Sequence, residues 1–158
     1  MSLNTLEDIA AFIVSDGKGI LAADESNPTC GKRFDSIGVE STESNRRDYR
    51  EMLFRSSGMR DNIGGVILFD ETIRQDAKDG TSLVKVICDQ GALPGIKVDQ
   101  GLKPLDGSPE ETLTQGLEGL SSRCSEYFKL GAKFTKWRAV IKIDENLPSF
   151  ECIESNMK

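Results

Sequence analysis

The chain has 158 residues, with 20 Lys and Arg against 26 Asp and Glu, a formal net charge of -6. That length allows one domain with a real core and is too short for two large ones. The acidic balance argues against sequence-independent nucleic-acid binding, which needs clustered cations, and no apolar run approaches the roughly 20 residues of a membrane span. The chain contains no histidine, which excludes Ser–His and Cys–His nucleophile schemes and every His-containing zinc site. Cys30, Cys88, Cys124 and Cys152 make no Cys-x-x-Cys pair, so they are expected to be small apolar fillers of a reduced, cytoplasmic protein. Residues 1–4 show no basic region followed by an apolar stretch, and no secretory signal is expected there.

Residues 4–14 predict a short N-terminal helix capped by Asn4, with Leu6, Ile9, Ala10 and Ile13 on one face. Gly17 and Gly19 stop it, and Gly19 to Ala23 reads as a buried strand ending at Asp24. A turn at Asn27-Pro28 leads to a helix over 29–37, and 44–55 predicts another with Tyr49, Met52 and Leu53 together. The run Gly64 to Phe69 suits a strand covered on both faces. Asp79-Gly80 is a turn, Ser82 to Gln90 a helix, and Pro94 to Val98 a third strand. Residues 106–109 read as a loop. Leu113, Leu117, Leu120, Cys124 and Tyr127 step at helical spacing and predict a long helix closed by Gly131. A fourth strand is expected over 134–143 and a final helix over 150–158. Strand–helix alternation, four times over, implies parallel strands joined by right-handed crossovers, in a doubly wound sheet or a β/α barrel.

The informative residues are charges inside otherwise apolar strands. Asp24 ends the first strand, Lys97 sits between Ile96 and Val98, and Lys136 and Arg138 flank Trp137. Strand side chains alternate between faces, so Lys136 and Arg138 share a side, as do Gly95, Lys97 and Asp99. In a barrel the helix-facing side must be apolar. The charges are then expected to point inward, at the strand ends where barrel active sites are built. Three cations against Asp24 and Asp99 leave this site positive in an acidic chain, which invites an anion such as a phosphorylated metabolite. Crowded lysines beside a carboxylate also suit amine chemistry and proton relay. The competing interpretation is a set of solvent-facing or salt-bridged charges with no ligand.

Other signals carry less. Gly17-x-Gly19-x-x-Ala22 precedes its strand instead of following it and lacks the dinucleotide-binding order. Arg46, Arg47 and Arg50 open a helix, either as phosphate contacts or as a solvated face. The lone tryptophan, Trp137, is expected to pack beneath the site.

Several ordered motifs then coincide. Gly17 to Ser26, Arg46-Arg47 within Glu43 to Arg50, Ile63 to Phe69, Gly95 to Asp99, Thr114 to Leu117 and Lys136-Trp137-Arg138 together resemble class I fructose-bisphosphate aldolase over essentially the whole chain. The resemblance implies a TIM-type β/α barrel lyase of glycolysis. Such an enzyme cleaves fructose 1,6-bisphosphate reversibly to dihydroxyacetone phosphate and glyceraldehyde 3-phosphate. It works through a lysine Schiff base, with no metal or other cofactor.

By the same resemblance, Asp24 takes part in proton transfer and Lys136 in Schiff-base chemistry. Lys97, Lys136 and Arg138 bind substrate, and Ser26, Arg33 and Arg46 are phosphate-side contacts. The family usually forms homotetramers, and neither a nucleic acid nor a membrane is an expected partner. The family's Schiff-base lysine belongs to a sixth strand and its acid–base glutamate to a fifth. Neither is expected within 1–158, which correspond to the first four strand–helix units, a partial barrel. A typical closed barrel needs about 250 residues, so this stretch is expected to be an incomplete, inactive fragment. A non-catalytic half-barrel that binds a phosphorylated metabolite or a partner half is the alternative.

Overall fold

Four short apolar segments associate as parallel neighbours because each is followed by chain that returns over the sheet. The computed structural model describes residue 3 and residues 5–158. In chain order its elements are α1 (Leu6–Ile13), β1 (Gly19–Ala23), α2 (Asn27–Asp35), α3 (Glu43–Phe54), α4 (Met59–Asn62), β2 (Ile63–Leu68), α5 (Asp70–Ile73) and α6 (Leu83–Asp89). There follow β3 (Leu93–Lys97), β4 (Leu102–Leu105), β5 (Ser108–Thr114), α7 (Leu120–Lys129), β6 (Phe134–Lys136) and α8 (Phe150–Met157). The main sheet has the order β1-β2-β3-β6, all pairs parallel, with Ala22 opposite Ile67, Ile67 opposite Gly95, and Lys97 opposite Lys136.

The two faces of this sheet differ as the alternation demands. On the helix side, Ala23, Val66, Leu68, Ile96 and Val98 are buried with Phe54, Met59, Leu83, Val86, Ile87 and Tyr127 in one core cluster. On the other face Gly65, Gly95 and Phe134 meet. A methyl added at Gly95 would lie 2.3 Å from the Phe134 ring. The glycine therefore makes room for an aromatic floor, and the charged residues of the same strands stand above it.

The sequence-based elements hold for the apolar strands and shift elsewhere. Asn4 lies outside the described residues, and α1 is capped by Thr5 in a reciprocal box with Asp8. The second helix occupies 27–35 instead of 29–37, with Pro28 in its first turn. In α3 the buried face is Arg46, Arg50 and Phe54, while Met52 is largely exposed. The arginines are thus not a solvated face. Residues 106–109 hold the Asp106-Gly107 turn of an antiparallel hairpin and the first two residues of its second strand, a β4–β5 hairpin that alternation alone did not show.

The long helix begins at Leu120 instead of Leu113. Leu113 belongs to β5, and Gly116 and Gly119 both have positive φ, at 119° and 66°, which stops helix propagation. Leu120, Cys124 and Tyr127 keep the expected inward face. The fourth strand ends at Lys136. Beyond it, residues 137–143 make no hydrogen bond to another main-chain group among the described residues. No helix is long and apolar enough to cross a membrane among the described residues.

Candidate active site

The carboxyl ends of the four strands open into a cavity of about 850 Å³. Of the residues singled out from sequence, Asp24, Ser26, Arg33, Lys97, Lys136 and Arg138 line it together, with Asp99. They come from β3 and β6, from the residues just beyond β1, β3 and β6, and from both ends of α2, so parallel strand order assembles them from distant parts of the chain.

Register places Lys97 and Lys136 side by side, two like charges on neighbouring strands about 4.8 Å apart. Each is neutralised separately. Lys136 Nζ donates to Asp24 Oδ2 at 2.7 Å, and Lys97 Nζ donates to Asp99 Oδ2 at 2.5 Å and to the Asp99 carbonyl at 2.8 Å. Both pairs are mostly withdrawn from water. The Asp24–Lys136 contact is therefore a direct carboxylate–ammonium path along which a proton can pass. Arg138, by contrast, is exposed and forms no ion pair among the described residues.

The wall beside β1 is built by α2 and α3. Ser26 is the N-cap of α2, and its hydroxyl lies 3.1 Å from that of Thr29. Arg33 pairs with Glu25 and donates to the Tyr49 hydroxyl at 3.0 Å; the nearby Glu25 carboxylate holds its pKa above the ordinary value. Burial pushes the Tyr49 phenol up as well. Arg50 is completely buried. It donates to the carbonyls of Ala23, at 3.3 Å, and Glu25, at 2.7 Å, which flank Asp24 on both sides.

Arg46 stands apart. It does not line the cavity but makes a two-pronged contact to Glu71 at 2.6 and 2.8 Å, and Asn27 donates to the same carboxylate at 3.2 Å. The Arg46 guanidinium holds the Glu71 carboxyl below its usual range. In this arrangement Arg46 ties α3 to α5.

Residues not foreseen from sequence complete the lining: Glu25, Asp70, Arg74, Arg123, Glu126 and Tyr127. Arg74 is bracketed by Asp70 at 2.9 Å and Glu126 at 2.6 Å, which raise its pKa, and the Tyr127 hydroxyl donates to Asp70 at 2.9 Å. Arg123 reaches back to the carbonyls of Val98, at 3.0 Å, and Gly116. These groups sit on α5 and α7 or in loops, where strand alternation says nothing. Altogether six cations and five carboxylates line the cavity, leaving a surplus of positive charge. Arg123 and Arg138 are the two that no carboxylate neutralises among the described residues.

The family model for class-I fructose-bisphosphate aldolase matches residues 5–158. The chain belongs to that family.

Its similarity extends to a probable class 1 aldolase of Xanthomonas campestris, 54% identical over 99% of this chain and 47% of the relative. Aldolase C-A of Danio rerio is 56% identical over 97% of this chain and 42% of the relative. A solved aldolase from Plasmodium falciparum, crystallised with TRAP and a small-molecule inhibitor, superposes with a TM-score of 0.90 at 46% identity. That match covers 93% of this chain and 43% of the other. The chain thus spans about half the length of the aldolases it matches, and its α/β fold with a parallel sheet is the aldolase fold over that span.

Proposed function

We propose that residues 1–158 supply the first four strand–helix units of an aldolase barrel. The completed barrel cleaves fructose 1,6-bisphosphate reversibly to two triose phosphates through a lysine Schiff base. The observation that carries this reading is the Lys136–Asp24 contact at 2.7 Å inside a cavity that also holds Lys97 and Arg138.

In this reading the Schiff-base lysine comes from outside the chain. Forming an imine requires a carbinolamine to lose its hydroxyl as water, and in this reading the Lys136 ammonium donates the proton. Asp24 holds that ammonium in place and takes part in the relay. Lys97 and Arg138 meet the anionic substrate, with Ser26 and Arg33 on the phosphate side. The phosphate-side role of Arg46 is indirect, through the wall it ties to Glu71. A cytoplasmic homotetramer acting without a metal belongs to the same proposal.

The test is borohydride trapping with dihydroxyacetone phosphate. The 158-residue chain is expected to give no adduct. The same chain joined to the remaining length of the Xanthomonas relative is expected to be trapped and active. Absence of trapping in a folded joined protein would sink the assignment.

A second reading, a non-catalytic half-barrel that binds a phosphorylated ligand or pairs with another half, is favoured by one observation. The end strands β1 and β6 each leave one edge unpaired among the described residues, a state that folded proteins usually avoid. Calorimetry with fructose 1,6-bisphosphate separates it: affinity unchanged in Lys136→Ala and Arg138→Ala counts against it.

A further inference from the structure

Among the described residues, Arg138 is a cavity cation that pairs with no carboxylate and donates to no carbonyl, unlike Arg123, which donates to the Val98 and Gly116 carbonyls. The Arg138 chain segment leaves the sheet after Lys136. What holds the segment is a pair of side-chain hydroxyls from β5. Thr114 Oγ1 donates to the Arg138 carbonyl at 3.1 Å, and Thr112 Oγ1 donates to the Val140 carbonyl at 3.2 Å. The spacing is regular: two alternate threonines of one strand grip two alternate carbonyls of the other segment, in place of backbone donors.

β5 is itself clamped from its far side. The Asn156 amide on α8 behaves like a neighbouring strand residue. It donates to the Thr112 carbonyl at 2.9 Å and accepts from the Thr114 amide at 3.1 Å. Glu111, almost fully buried, accepts from the Ser149 amide at the start of α8 at 2.7 Å. Thr114 is only 5% exposed. A buried hydroxyl with its donor committed fixes the position of its acceptor, and losing it leaves a carbonyl to find water or move. The hairpin β4–β5 therefore acts as a strap that runs from α8 to the root of the Arg138 side chain.

We propose that Thr114, assisted by Thr112, is a positioning residue. Its hydroxyl holds the Arg138 main chain so that the guanidinium enters the cavity at a set place and meets a phosphorylated ligand. The proposal rests on the cavity reading above. It adds that ligand affinity is controlled from the hairpin, by residues that do not line the cavity.

The probe is fructose 1,6-bisphosphate, titrated calorimetrically into the 158-residue chain. Thr114→Val is expected to weaken binding about 5–12-fold, the equivalent of losing one hydrogen bond of about 1–1.5 kcal/mol. Thr114→Ser, which keeps the hydroxyl, is expected to bind within about twofold of the parent. In an Arg138→Ala background, Thr114→Val is expected to add no further loss, because the side chain it positions is gone. Equal weakening with and without Arg138 shows a merely structural role and overturns the proposal. Unchanged affinity in Thr114→Val does the same. If Thr114→Val does not fold, Thr112→Val frees the same segment at Val140 and is judged by the same two comparisons. No binding by the folded parent overturns the cavity reading and this proposal with it. Binding by the parent without the Arg138-dependent loss overturns the positioning alone.

Discussion

Arg50 offers the sharpest test of how the fold supports the site. Its side chain is completely buried between α3 and the end of β1. It donates to the Ala23 and Glu25 carbonyls and lies 3.4 Å from the Glu25 carboxylate, itself only 8% exposed. Replacing Arg50 with Met keeps much of the volume. It leaves two carbonyls and one carboxylate short of their shared donor.

Replacing both members of a buried ion pair with apolar groups can be neutral, but removing one member leaves the other charge buried and costs roughly 3–5 kcal/mol. Two features lower the figure here. Arg50 Nη1 is buried without a partner among the described residues, and Arg33 still faces Glu25. The expected loss is therefore about 3 kcal/mol, a large share of an ordinary domain's 5–15 kcal/mol or so.

In urea, with a slope of about 2 kcal/mol/M, the unfolding midpoint should fall by about 1.5 M. Adding Glu25→Gln to Arg50→Met should recover part of the loss, since the stranded charge is then gone. Arg50→Lys should fall between, because a single ammonium cannot span both carbonyls. A loss below about 1 kcal/mol in Arg50→Met would refute the view that this arginine holds the chain on either side of Asp24.

Two further outcomes follow from the same geometry. Gly95→Ala forces a methyl into the Phe134 ring 2.3 Å away and should destabilise by about 1–3 kcal/mol; Phe134→Leu in the same chain should restore most of it, and denaturant melts of the four proteins check this. Arg46 holds the Glu71 carboxyl below its usual range. The stabilising contribution is thus complete above the unfolded carboxylate value of about 4.3 and lost as pH falls through the lower folded value. The parent should lose more stability than Glu71→Gln between about pH 6 and about pH 3, and equal losses in the two would contradict it.

The parts of the site that strand parity made legible lie on or just beyond strands, whereas Ser26 and Arg33, at the two ends of α2, were reached only through the motif resemblance. A charge between apolar neighbours in a buried strand can only point away from the helices, so Asp24, Lys97 and Lys136 could be grouped before any contact was known. Arg46 was named with them because it belongs to a motif, yet its guanidinium goes to Glu71. Nothing local distinguishes an arginine that meets a ligand from one that bridges two helices. Arg74, Arg123 and Tyr127 were missed because helix and loop residues have no such parity. The apparent helix from Leu113 failed because spacing counts apolar positions and cannot see that Gly116 and Gly119 adopt positive φ.

By itself, then, the sequence determined the number of parallel strands, which of their faces is apolar, the positive character of the other face and, through its ordered motifs, the aldolase family. These are consequences of alternation and composition, which act over a few residues. Only the tertiary structure decided which carboxylate neutralises which lysine, that Arg50 braces both sides of Asp24, and that β5 straps the Arg138 segment. Apart from the Lys97–Asp99 pair, two residues apart, these depend on distances between groups 24 or more residues apart, up to 112 for Asp24 and Lys136, and no local pattern encodes such distances. The length of 158 residues, which first set a bound of one domain, corresponds to about half of the aldolases that share the fold.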